Sequence, residues 1–339
     1  MKSSVYLARA KEIYSQIHPH LINAGKVIHT LALITWHTLS KMAHQCYALY
    51  IKYSPAIDKR LDLYARLIRL KNPIGWMLLL WPTLWALWIA YESLPSLHLL
   101  LVFTFGVFLT RSAGVVFNDI ADRDFDSHVR RTYKRPVTTG ELQIYEALLV
   151  AVVLLLLAFL LVLTTNKLTI MLSFVAVLLA VLYPFMKRYT YLPQLFLGLA
   201  FSWGIPMAFS AQTSTIPNIV WLLYSANILW VLVYDTIYAM VDIKDDIKIG
   251  VKSTAILFED ADKLIIGILQ SMFLSIMIIV GLQINAGFYY YYSLILAGGF
   301  MIYHQYLIKD RLPERCFKAF LNNNWIGVVI FAGIVLTYL

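Results

Sequence analysis

Cysteine is scarce. Cys46 and Cys316 are the only two, both fall in segments that the charge pattern places on the cytoplasmic side, and neither a disulfide framework nor a CxxC metal site is indicated. The sequence also holds no GxxxxGK[ST] and no HExxH, which argues against a soluble nucleotide or zinc fold. Residues 1–20 contain no apolar run like the core of a signal peptide, so targeting is expected to reside in the first span. Charge is sparse as well: 14% of the 339 residues are charged and 60% hydrophobic. That is more apolar surface than one soluble core can hide.

A bilayer core needs about 20 mostly apolar residues per helical span. Nine such stretches are expected, at 73–91, 97–117, 141–163, 168–186, 191–211, 217–240, 263–283, 287–306 and 318–338, giving an all-α integral membrane fold. The net charge of +9 is distributed by topology and not as a nucleic-acid surface. Lys59, Arg60, Arg66, Arg69 and Lys71 precede the first span, and Arg123, Arg130, Arg131, Lys134 and Arg135 fill the second connection. Lys187 and Arg188 lie in the fourth, Lys244, Lys248, Lys252 and Lys263 in the sixth, and Lys309, Arg311, Arg315 and Lys318 in the eighth. The intervening connections hold Lys167 alone. This positive-inside pattern predicts a cytoplasmic N-terminus and a C-terminus outside.

Residues 1–60 are too polar to span, yet Ile28, Leu31, Leu39, Met42, Cys46 and Leu49 recur at helical spacing. They are expected to form an extension separate from a transmembrane domain at 61–339. Two forms are open: an interfacial helix, or a helical arm packed on the cytoplasmic face.

Two acid clusters carry the chemistry. In NDIADRDFD, Asn118, Asp122 and Asp126 stand four residues apart, with Asp119 beside them, and would share one face of a helix continuing from the second span. In YDTIYAMVDIKDD, Asp235, Tyr238, Asp242 and Asp246 follow at offsets of three, four and four. Each cluster ends a pair of apolar spans, a weak two-fold organisation that would place a ligand between the halves. Like charges at this spacing repel, and carboxylates beside hydrocarbon are costly, so a compensating cation is expected. Hard oxygen ligands suit Mg²⁺ bridging to a diphosphate, with Arg123, Arg130, Arg131, Arg135, Lys248 and Lys252 on the remaining phosphate oxygens. A transporter would bury its acids deep within spans, whereas these sit at one boundary.

Four runs, PIGWMLLLWPTLWALW at 73–88, NDIADRDFDSHVRRTYKRP at 118–136, YPFMKRYTYLPQ at 183–194 and YDTIYAMVDIKDDIKIGVKSTAILF at 234–258, resemble the UbiA-type 4-hydroxybenzoate polyprenyltransferases of ubiquinone biosynthesis. The resemblance covers about 62–339. It implies a nine-helix bundle around a lipid-facing cavity in a bacterial inner membrane, with polyprenyl diphosphate and 4-hydroxybenzoate as substrates, and no obligate protein partner is evident. By the same resemblance, Asn118, Asp119, Asp122 and Asp126 form the first Mg²⁺ and diphosphate set, and Asp242 and Asp246 the second. Arg123, Lys187 and Arg188 match positions that bind diphosphate or acceptor. Arg111, Tyr183, Asp235 and Tyr238 match positions in the family's cavity. Either Arg111 or Arg188 would hold the acceptor carboxylate, and Asp235 would assist the ring or take its proton. Trp76, Trp81, Trp85 and Trp88 read as lipid contact and packing.

Overall fold

The computed structural model describes Trp36, residues 40–42, 44, 45 and 47, and residues 57–129 and 131–339. The expected stripe from Ile28 to Leu49 lies outside these residues except for Met42, as does Arg130. The chain separates into two compact units, Met1–Asp62 and Leu63–Leu339. In the first, the described residues are helical, and His44 Nδ1 stands 2.8 Å from the Ser40 carbonyl.

The second unit is all-helical among its described residues. Its elements are α1 Ile74–Tyr91, α2 Leu97–Ala121, α3 Arg123–Asp126, α4 Ile144–Val162, α5 Lys167–Leu182, α6 Met186–Tyr189, α7 Pro193–Ser202, α8 Gly204–Thr213, α9 Asn218–Ile249, α10 Thr254–Phe258, α11 Asp262–Gln283, α12 Phe288–Ile308 and α13 Pro313–Thr337. Among the described residues, eight helical segments are long and apolar enough to cross a membrane: α1, α2, α4, Lys167–Tyr189, Pro193–Thr213, α9, Thr254–Gln283 and α13. The stretch expected at 287–306 is α12, 21 residues long. Tyr289 to Tyr292, Tyr303, His304 and Gln305 dilute its apolar content, which leaves it outside the eight.

Two expected spans are broken in ways that averaged hydropathy does not register. Pro184 tightens the end of α5 into a 3₁₀ turn, Tyr183–Phe185. Pro206 cannot donate to the carbonyl four residues back, and the helix is interrupted there between α7 and α8 at Trp203.

Helix α9 is the axis of the bundle and packs on α1, α7, α8, α10, α11 and α13. Its 32 residues extend about 48 Å against about 30 Å of hydrocarbon. The C-terminal turns that carry the second acid cluster can therefore stand outside the apolar layer. At the periphery, α4 and α5 expose Leu149, Leu156, Leu160, Phe174 and Leu178, a surface whose natural solvent is lipid.

The core is aromatic and is held by polar clasps. Trp85 stacks on Trp230 with centroids 5.3 Å apart. Three consecutive residues of α13 reach three different helices: Asn322 Oδ1 lies 2.9 Å from His304 Nε2, Asn323 accepts from Trp230 Nε1 at 3.0 Å, and Asn324 accepts from Trp81 Nε1 at 2.8 Å. Close approach of α1 and α13 requires Gly327, where a Cβ would collide with the Trp81 ring. Asn323 is fully buried. Its replacement by Leu orphans the Trp230 indole N–H and should cost about 1–3 kcal/mol. Thermal unfolding in detergent measures this, and an unchanged midpoint would refute the clasp.

Candidate active site

The first acid bank sits where α2 ends. The helix does not continue straight, as the four-residue spacing suggests: Asp122, at φ −97° and ψ 0°, turns the chain into α3. The i→i+4 bonds persist across this corner, from Asp122 N to Asn118 O and from Asp126 N to Asp122 O at 2.9 and 2.8 Å. The three side chains therefore still line one cavity.

Each acid of this bank has its own cation. Asp119 accepts from Arg69 at 2.7 Å and Arg135 at 3.0 Å, Asp126 from Arg135 at 2.6 Å, and Asp122 from Lys187 at 2.5 Å. Asn118 Nδ2 also donates to Asp122 Oδ2 at 2.9 Å, while Asp122 Oδ1 is buried without a partner. Burial raises the Asp126 carboxyl above the ordinary carboxylate value, Arg135 pulls it back, and the neighbouring Asp122 and Asp119 add to the rise.

The second bank lies on the last turns of α9. Gly250 ends that helix at φ +71°, a left-handed conformation that favours glycine. The turn it makes brings the Lys252 N–H to the Lys187 carbonyl at 3.3 Å, and the Thr254 N–H to Gln194 Oε1 at 3.0 Å. Arg131, from the connection after the first bank, reaches across to the second. It bonds Asp242 and the Tyr238 hydroxyl, and its guanidinium lies 4.6 Å from the Tyr238 ring centroid. Burial opposes the charge on Arg131, but Tyr238 and Asp242 outweigh it and hold the guanidinium protonated more firmly than usual.

Both banks line one cavity of about 940 Å³. Of the residues singled out in the sequence, Arg111, Asn118, Asp119, Asp122, Asp126, Arg131, Arg135, Tyr183, Lys187, Asp235, Tyr238, Asp242, Asp246 and Lys252 line it. Arg123, Arg188 and Lys248 do not. Arg123 is exposed, Lys248 pairs with Asp245 at 3.7 Å, and Arg188 donates to the Ala121 carbonyl and lies over the Phe125 ring. Arg69, which its sequence position marks only as a topology charge, and Tyr234 and Asn324, which no motif marks, also line the cavity.

Arg111 marks the inner end. Its guanidinium is 5.5 Å from the Phe201 centroid and its buried Nε has no partner. Gly75 makes room for it, because a Cβ there would stand 2.9 Å from Nη2. A second, mostly apolar cavity of about 150 Å³ runs among α2, α4, α5, α7 and α8, and shares Arg111, Tyr183 and Phe201 with the first.

The UbiA prenyltransferase family model matches residues 79–328. A 4-hydroxybenzoate octaprenyltransferase of Marinobacter nauticus is 53% identical over 289 residues, covering 85% of this chain and 98% of that protein. One of Aeromonas hydrophila is 56% identical, covering 81% and 96%. Among solved structures, a UbiA homolog from Aeropyrum pernix superposes with a TM-score of 0.69 at 24% identity, covering 78% of this chain and 98% of that one. A UbiA homolog from Archaeoglobus fulgidus, bound to GPP and Mg²⁺, gives 0.61 at 19%, covering 80% and 99%. By its apolar helices and by these matches, the chain is an integral membrane protein and belongs to the UbiA prenyltransferase family.

Proposed function

We propose that this protein transfers a polyprenyl group from its diphosphate to 4-hydroxybenzoate, at the ring carbon ortho to the hydroxyl, with Mg²⁺ and release of diphosphate. The observation that carries the reading is the bond from Arg131 to Asp242, which ties the connection after one acid bank to the other bank over a shared cavity. In this reading the chain crosses a bacterial inner membrane nine times, α12 included. The two halves each supply one bank, and the cavity mouth faces the cytoplasm, where the Lys- and Arg-rich connections lie.

The donor set fits Mg²⁺. It is all oxygen, and Asp122 Oδ1 is buried and unpartnered. Among the described residues no three His, Cys, Asp or Glu stand close enough to hold an ion by themselves. Mg²⁺ keeps waters and binds through one or two carboxylates plus phosphate oxygens, so it does not need such a cluster. Asn118, Asp119, Asp122 and Asp126 on one side and Asp242 and Asp246 on the other would hold it. When bound, Mg²⁺ supplies Lewis-acid neutralisation of the leaving diphosphate.

The protein's own groups do the rest. Arg131, Arg135, Lys187 and Lys252 turn to the phosphate oxygens. The apolar wall around Phe201 and Leu197 keeps water from the allylic cation as the C–O bond breaks, and the narrow second cavity takes the first isoprene units of the chain. Arg111 holds the acceptor carboxylate, which leaves the electron-rich ortho carbon toward the diphosphate. Asp235, on α9 and lining the same cavity as Arg111, takes the ring proton as aromaticity returns.

Purified protein in detergent, given an allylic polyprenyl diphosphate and labelled 4-hydroxybenzoate, should form prenylated acid with Mg²⁺ and none with chelator. Product that survives chelation would refute the metal's role. Turnover of another phenol in place of 4-hydroxybenzoate would move the acceptor assignment alone.

A further inference from the structure

Tyr234, Tyr238 and Asp242 follow one another along α9 at intervals of four, share a face, and line the large cavity. The last two are bonded to Arg131. Tyr234 is not. Its ring is clamped against Trp230, centroids 5.5 Å apart, and against Phe320 at 6.2 Å, and the residue is 2% exposed. Its hydroxyl nonetheless has no hydrogen-bond partner. A buried donor left unpaired is costly, and it persists where a ligand completes it.

A second unpaired donor lies close by. Arg111 lines the same cavity, and its Nε is itself buried and unpartnered. The two come from opposite halves at matching depth: Arg111 is seven residues inward of Asn118, about 10 Å along its helix, and Tyr234 eight residues inward of Asp242, about 12 Å. Arginine can only donate and a phenol can donate, so the pair selects an acceptor-rich group. The diphosphate is anchored at the acid banks, too far up the cavity to meet both. A carboxylate with one charge suits a pole where Asp235 already adds a negative group.

We propose that the Tyr234 hydroxyl donates a hydrogen bond to the carboxylate of the aromatic acceptor, beside Arg111, and thereby makes the site prefer an acid over an uncharged substituent at that ring position. This rests on the reading that Arg111 holds the acceptor. The Trp230 and Phe320 clamp fixes the phenol before substrate arrives, so little rotamer freedom is lost on binding.

Tyr234→Phe removes the oxygen and keeps the clamped ring. At saturating prenyl diphosphate and Mg²⁺, kcat/KM is measured for 4-hydroxybenzoate and for its methyl ester in both proteins. The acid-to-ester ratio should fall roughly 10- to 100-fold in the variant, the range for a hydrogen bond to a charged group. The melting temperature without acceptor should not drop, because the lost hydroxyl has no partner, while the upward shift produced by 4-hydroxybenzoate should shrink. A ratio within about twofold of wild type, or an equal fall for acid and ester with a lower melting temperature, overturns the assignment while leaving the proposed function standing. A wild-type protein that prenylates neither acceptor overturns both.

Discussion

Asp122→Ala and Asp242→Ala are each expected to lower prenyl transfer by at least about 10³-fold, which corresponds to about 4 kcal/mol of transition-state stabilisation. Asp122 stands at the corner between α2 and α3 with one oxygen on Lys187 and Asn118 and the other unpartnered. Asp242 lies on α9, lines the same cavity and is bonded to Arg131. Each deletion removes an oxygen donor and also leaves a cation with its charge unanswered beside the diphosphate site. The fold should survive, because neither side chain takes part in the aromatic core. If both acids act on one diphosphate, the double variant should lose much less than the product of the single losses. Single-turnover rates at saturating Mg²⁺ test this, and either single variant remaining within about tenfold of wild type would exclude that residue.

Arg111→Leu should cut kcat/KM for the aromatic acid about 10²-fold, about 2.7 kcal/mol, with a much smaller change in KM for the prenyl diphosphate. The guanidinium lies at the inner end of the cavity, over Phe201 and in the space left by Gly75, with an unspent donor. Arg188→Leu is the contrasting case. Arg188 is exposed, caps the Ala121 carbonyl and covers Phe125, so its loss should loosen the Asp122 corner without a selective effect on the acid. Varying each substrate in turn separates the two. A selective loss in Arg188→Leu with none in Arg111→Leu would reverse the assignment.

Apolar runs of bilayer length made eight of the nine expected membrane spans legible in the sequence, and oxygens repeated every four residues marked both acid clusters that line the cavity. Arg111 was singled out by the family resemblance, and it lines the cavity. What stayed hidden depends on contacts between distant segments. Arg69 and Lys71 look alike as topology charges, and only folding brings Arg69 to Asp119. Arg123, embedded in the acid motif, turns to solvent because α3 starts a new direction at Asp122. Tyr234 and Tyr238 look equivalent at one turn's spacing, and Arg131 distinguishes them by bonding only the second. The tripeptide Asn322 to Asn324 has no periodic signature, since its three side chains diverge to three helices.

The ion pairs at the cavity mouth have a consequence for the order in which substrates load. Asp119, Asp122, Asp126 and Asp242 are each neutralised by an arginine or lysine of the chain. A divalent ion arriving alone would compete with those cations for the carboxylate oxygens, and a bare diphosphate would have to draw a cation off its acid. Arriving together they trade partners, acids to metal and guanidinium to phosphate, and no charge is stranded. Uptake of the two should therefore be strongly cooperative, each tightening the other's hold by the same factor.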